Sequence, residues 1–134
     1  MIKRVLYELA SPSTNSVSGR VTREWHGREF ILGFDYEREG RVYQTGIIFK
    51  NVRALQYRSE ILETVWQIQD AYDAVVEVEQ SVWIGDLLAV VPVDKRREID
   101  MHHYMITLDS VGCFEFAAGS FEVMPELLVP VERA

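Results

Sequence analysis

The chain has 134 residues, a 48% hydrophobic and 11% aromatic composition, a single cysteine and a net charge of −7. These values describe one domain over 1–134 with a core of its own and exclude a disordered chain. One thiol, Cys113, excludes an intrachain disulfide and points to a reducing, cytoplasmic setting; no apolar run approaches the roughly 18–20 residues of a membrane span, and the negative balance disfavours nonspecific nucleic-acid binding.

Residues 2–9 form a first strand, and the turn-forming run Ser11-Pro12-Ser13-Thr14-Asn15-Ser16 follows. From Val21 the chain is β. Phe30, Leu32, Phe34 and Tyr36 alternate with Ile31, Gly33 and Asp35, which predicts a strand with one face on the core. Glu37-Arg38-Glu39-Gly40 is the turn, and Tyr43, Thr45, Ile47 and Phe49 lie on the returning strand, with Tyr36 expected opposite Arg41 and Phe30 opposite Ile47. A further strand is expected over 52–57.

Residues 59–73 carry two patterns. Ile61, Val65, Ile68 and Tyr72 have helical spacing behind a Ser59 N-cap, whereas Trp66-Gln67-Ile68-Gln69 alternates like a strand; a short helix is the expectation. Residues 75–79 form a strand. Ser81 caps a second helix carrying Trp83, Ile84, Leu87 and Leu88, which Pro92 stops. Trp66 and Trp83 are expected as core anchors. In the last hairpin, Tyr104, Ile106 and Leu108 must share a face with Phe114, Phe116 and Ala118, which places Leu108 opposite Phe114 around a Ser110-Val111-Gly112 loop. Residues 120–124 add a final strand. The architecture expected is α+β: a mainly antiparallel twisted β-sheet of six to eight strands with one or two short helices.

Charge is segregated along the chain. Residues 1–58 hold ten Lys/Arg against six Asp/Glu (+4), residues 59–94 hold eight Asp/Glu and no Lys or Arg (−8), and residues 95–134 hold four against seven (−3). The central block supports either a sided acidic field for a basic partner or a balanced surface in which its acids pair with the basic N-terminal half. Asp70, Asp73, Glu77 and Glu79 are the candidate partner-binding carboxylates. They do not form an EF-hand, because the sixth position from Asp70 is Val75 and the twelfth is Ser81, where Gly and Glu are required.

Of the histidines, His102 and His103 point to opposite faces of a strand and cannot readily share a metal. Asp100 and His102 share a parity and are the candidate general-base pair or half of a metal site. Glu115, expected opposite Thr107, lies four residues along from His103, roughly 13 Å at about 3.3 Å per residue, so that pairing is not expected. Cys113 is an ordinary strand residue and His26 a turn residue. There is no phosphate-binding glycine loop, nucleophile-elbow motif, His-Glu-x-x-His or paired-cysteine motif, and no cofactor or metal is expected.

The runs YDAVVEVEQSVW (72–83), HYMITLD (103–109) and FEFAA (114–118) resemble small bacterial proteins grouped with the immunity proteins of toxin systems. The resemblance covers the last half of the chain and carries no site residues. It implies a binding protein and not an enzyme; with the charge segregation, the expectation is a non-catalytic interaction module that meets a basic protein partner through the acidic surface of 59–94. The alternatives are a small hydrolase or metal-binding protein organised around Asp100 and His102, and a homodimer joined through sheet edges or exposed aromatics.

Overall fold

A computed structural model describes residues 2–62 and 70–130. The strands are β1 (Ile2–Glu8), β2 (Val21–His26), β3 (Glu29–Arg38), β4 (Arg41–Lys50), β5 (Ala54–Ser59), β6 (Ala74–Glu79), β7 (His102–Leu108), β8 (Gly112–Ala118), β9 (Ser120–Val123) and β10 (Leu127–Leu128), and helix α1 is Val82–Ala89. The chain is α+β and mainly antiparallel, but the strands divide into two sheets instead of one. The first has the order β1-β6-β7-β8-β5; the second has β10-β4-β3-β2, with β9 also paired to β4. No helix among the described residues is long and apolar enough to cross a membrane.

Both sheets contribute to one core. Phe30, Leu32, Ile47 and Phe49 of the second sheet pack against Val75, Tyr104, Ile106, Phe114 and Phe116 of the first. At its centre the rings of Phe49 and Phe116 stack at 3.7 Å between centroids. A second apolar cluster, Ala71, Ala74, Val76, Val78, Met105 and Cys113, lies on the opposite face of the first sheet. Every residue of β8 is therefore buried. Cys113 is a buried strand residue, and His26 is exposed beside the Gly27 turn, 3.3 Å from Glu24.

Both hairpins form between the expected strands, each with its register moved by two residues. In the first, Tyr36 faces Tyr43, Phe30 faces Phe49, and Arg38 pairs with Arg41. The turn is only Glu39-Gly40, and both residues have positive φ, 54° and 76°. Such a two-residue turn matches the right-handed twist of the strands, which the longer loop expected from the polar run does not do as well. In the second hairpin Leu108 faces Gly112 and Ile106 faces Phe114. The loop is thus Asp109-Ser110-Val111, with Ser110 at φ 59°. Gly112 belongs to the strand, and a Cβ there would collide with the carbonyl oxygen of Arg58. It serves the close approach of β5, not the loop.

Ser59 closes β5, and a 3-10 turn over Glu60–Leu62 follows it directly. Residues 63–69, with Trp66, lie outside the described residues; at the end of the expected segment Asp70 and Ala71 are helical and Tyr72 bridges Thr107. Helix α1 forms as expected: the Ser81 side chain accepts the Ile84 amide at 3.2 Å. Pro92 opens a 3-10 turn over Val93–Glu98, from which Arg96 donates to the carbonyl of Val91 at 2.9 Å. None of α1's residues is buried. Trp83, expected in the core, is partly exposed and sets its ring edge against His103 at 5.0 Å.

Candidate functional site

The ionisable groups converge where β6 ends and β7 begins. Here α1 leaves the sheet, and a cleft of about 400 Å³ opens between Ile84 and Leu88 of the helix and Glu77, Glu79, His102 and His103 of the strands. A concavity of about 470 Å³ lies on the second sheet around Gly33. It contains no imidazole or thiol. Its Asp35 is already committed to the Ser16 hydroxyl at 2.8 Å and the Val17 amide at 3.0 Å. Burial pushes that carboxyl up, and the hydrogen bonds from Ser18, Ser16 and Val17 bring it below its ordinary value.

The expected Asp100/His102 pair is brought together: Nε2 of His102 is 2.9 Å from Asp100. Nδ1 is 2.8 Å from Glu77 Oε2. Glu77 in turn accepts from Arg4 at 2.9 Å. With both ring nitrogens on carboxylates, the surroundings of His102 favour its charged form. Burial works against its charge, but Glu77 and then Asp100 outweigh burial and raise its pKa. The Glu77 carboxyl is pushed up by burial and brought down further by His102 and Arg4, and ends lowered. Such a clamp holds charge in place; it offers no lone pair to a metal or a substrate proton. Among the described residues, no group of three His, Cys, Asp or Glu could hold a metal ion.

The four carboxylates expected to meet a partner have unlike surroundings. Asp70 forms an ion pair with Lys3, Glu77 with Arg4 and His102, and Glu79 lies 3.8 Å from Arg4. Asp73 has φ 54° and holds the backbone: its amide donates to Thr107 and its carbonyl accepts from Leu9, each at 2.9 Å. Three of the four thus face the basic side chains of β1. The acidic block is partly balanced by the N-terminal half of the chain.

His103 and Glu115, not expected to meet, are hydrogen-bonded. Nε2 of His103 is 2.8 Å from Oε1 of Glu115, with side chains 7% and 8% exposed. The two-residue shift explains the difference, because Glu115 faces Met105 and not Thr107. His103 becomes its diagonal neighbour, within side-chain reach. The other ring nitrogen, Nδ1, is 2.7 Å from Ser81 Oγ. A continuous polar chain therefore runs Ser81–His103–Glu115 from the cleft wall into the buried outer face of the first sheet. The sequence signals were separate: Ser81 as a cap, and His103 and Glu115 at one parity across a hairpin.

No protein family, curated protein or solved structure matches this chain. The site stands on its own geometry.

Proposed function

We propose that this protein is an interaction module, immunity-like in kind, that seats a basic and partly apolar segment of a protein partner on α1 and the cleft beside it. One observation carries the proposal. The helix sequence VWIGDLLA contributes six apolar residues and buries none of them. An amphipathic helix ordinarily turns its apolar stripe to the core. Here Val82 is 78% exposed, and beyond the helix Val90 and Val93 are 84% and 75% exposed. Contiguous apolar surface with a charged rim is the usual character of an interaction site.

The rim supplies the sign of the partner. Asp86 and Asp94 are exposed and form no ion pair among the described residues; no Lys or Arg lies between residues 59 and 94, and at the far end of the helix Arg96 is taken up by the carbonyls of Ala89 and Val91. Complementary charge would chiefly raise association rate and specificity. Because Asp70, Glu77 and Glu79 face β1, the contact centres on Asp86 and Asp94, with the apolar residues supplying affinity. A cytoplasmic setting belongs to the same proposal and is supported by the single cysteine. A hydrolase or metal site organised on Asp100 and His102 is less well supported, since both imidazole nitrogens are taken.

The test uses a helical peptide of alternating Lys and Leu and its Glu/Leu counterpart, titrated against the full chain at low and high salt. The Lys/Leu peptide should bind preferentially, weaken with salt, and be lost in Val82→Asp/Val90→Asp, with Asp86→Asn/Asp94→Asn reducing the salt dependence. Equal binding of the two peptides, or binding indifferent to Val82→Asp/Val90→Asp, would overturn the proposal. So would a dimer in sedimentation that this double variant splits, which would assign the surface to a second copy of the chain.

A further inference from the structure

The Ser81–His103–Glu115 chain goes beyond a binding surface. Its proton arrangement follows from the partners. Where the Glu115 carboxyl accepts, Nε2 of His103 carries the proton donated to it. Nδ1 is then a lone pair, and the Ser81 hydroxyl donates to it at 2.7 Å. The same hydroxyl oxygen accepts the Ile84 amide, which leaves its second lone pair for attack. Nucleophile, base and orienting carboxylate are thus within reach in the order that activated serines require. The ring is reversed relative to the commonest arrangement, in which serine meets Nε2 and the carboxylate meets Nδ1. Proton transfer needs the short O···N contact and a held ring, and Trp83 packs edge-on against the imidazole at 72° to help hold it.

The local topology presents the serine. Strand β6 ends at Glu79, Gln80 takes φ 54°, and Ser81 opens α1. This strand–tight turn–helix sets a nucleophile at the end of a sheet with its base behind it. Ser81 lines the cleft and is partly exposed, whereas His103 is 6% exposed. The amides of Val82 and Trp83 begin the helix and have no partner among the described residues. They are donors at the positive end of α1, next to the serine.

We infer that Ser81 is an acyl-accepting nucleophile with His103 as its base and Glu115 as the residue that positions the base, and that the cleft takes small neutral esters with an apolar acyl group. Ile84 and Leu88 form the apolar wall, and Glu77 and Glu79 on the opposite side are largely balanced by Arg4 and His102, which suits a neutral substrate. In the first step Ser81 Oγ bonds to the ester carbonyl carbon as its proton moves to Nδ1 of His103. The carbonyl oxygen becomes an oxyanion beside the Val82 and Trp83 amides. The carbon–oxygen bond to the alcohol then breaks, and the Nδ1 proton leaves with the alcohol. Water, giving a proton to the same nitrogen, attacks the acyl-serine. Release of the acid restores the Ser81 hydroxyl. The net change is ester plus water to acid plus alcohol.

The test treats the full chain with an alkyl fluorophosphonate and with p-nitrophenyl acetate. Intact mass should show one adduct, peptide mapping should place it on Ser81, and ester turnover should exceed the buffer rate. Ser81→Asn keeps a good N-cap and should abolish both readouts. His103→Gln should lower turnover by about 10²–10⁴-fold, the usual contribution of a positioned base. Glu115→Gln should displace the pH profile of labelling, which a purely structural role would leave in place. An unlabelled wild-type chain, a label mapping to another residue, or Ser81→Asn turning over ester like wild type would each overturn the inference. Mapping of the wild-type chain decides the matter even where a variant fails to fold.

Discussion

On the face of β7 and β8 turned towards the second sheet, Tyr104, Ile106, Phe114 and Phe116 meet Phe30, Ile47 and Phe49 with no carboxyl or imidazole among them. On the opposite face, one residue along, His103, Thr107 and Glu115 alternate with Met105 and Cys113. Both faces are buried, yet by different means. The first draws its stability from apolar area and ring packing, which tolerate a range of shapes. The second buries polar groups, which is tolerable only when each finds its partner. The dry face therefore gives stability, and the polar face fixes geometry, bringing Ser81, His103 and Glu115 into one line at the cleft.

Removing the central ring of the dry face should have the largest effect. Phe49 is fully buried and stacked on Phe116, so Phe49→Ala should cost about 3–5 kcal/mol. The measure is a lower urea midpoint at unchanged slope. A loss below about 1 kcal/mol would mean that the two sheets do not pack through this ring.

The polar face should respond less to each change, and non-additively. Glu115→Leu should cost about 1–3 kcal/mol, because it strands the Nε2 proton of a buried imidazole. His103→Leu should cost a similar amount by removing one hydrogen bond from the buried Glu115 carboxyl. The double variant should cost less than the two singles together, with a coupling of about 0.5–3 kcal/mol in a double-mutant cycle. Strict additivity would break the comparison by showing that the pair does not interact. Ser81→Ala should cost about 1–2 kcal/mol, for the lost cap together with the lost partner of Nδ1, with Ser81→Asn recovering the cap's share in thermal melts.

How far these faces can be read from sequence depends on what a period of two encodes. Alternation at Phe30, Leu32 and Tyr36, and at Tyr104, Ile106 and Leu108, identifies which side chains point inward, and all six are buried. It does not identify which residues face each other across a hairpin, because a slip of two residues leaves every parity unchanged. Only the turn decides that. Glu39 gives little sign that it will adopt a left-handed φ, and Gly112 reads as a loop glycine although its role is to admit β5. Those slips hid the contact between His103 and Glu115. The α1 cap was legible because it is local. The second partner of Ser81, 22 residues away, was not, nor was the pairing of Arg4 with Glu77 across 73 residues. Apolar content placed Trp83 in the core; only the structure shows that none of α1's apolar side chains is fully buried.

The adjacent imidazole sharpens the comparison at its smallest scale. His102 stands at the rim, with its side chain 35% exposed between Glu77 and Asp100. Its pKa in the folded chain is raised above an ordinary value of about 6.5. The stabilisation it contributes is therefore complete below that ordinary value and is lost as pH rises through the raised one. Glu77, whose pKa is lowered, acts at the other end: its contribution is present above the ordinary carboxylate range and is lost as pH falls through the lowered value. The clamp is consequently strongest between the two, in mildly acidic solution. Solvent and salt reach this pair, so its worth is under about 1 kcal/mol. In urea titrations across pH, wild type should lose a small increment of stability on the alkaline side of the ordinary histidine value, and His102→Gln should lack that slope. An unchanged slope in His102→Gln would place the pH dependence elsewhere and leave the imidazole a neutral neighbour of Glu77.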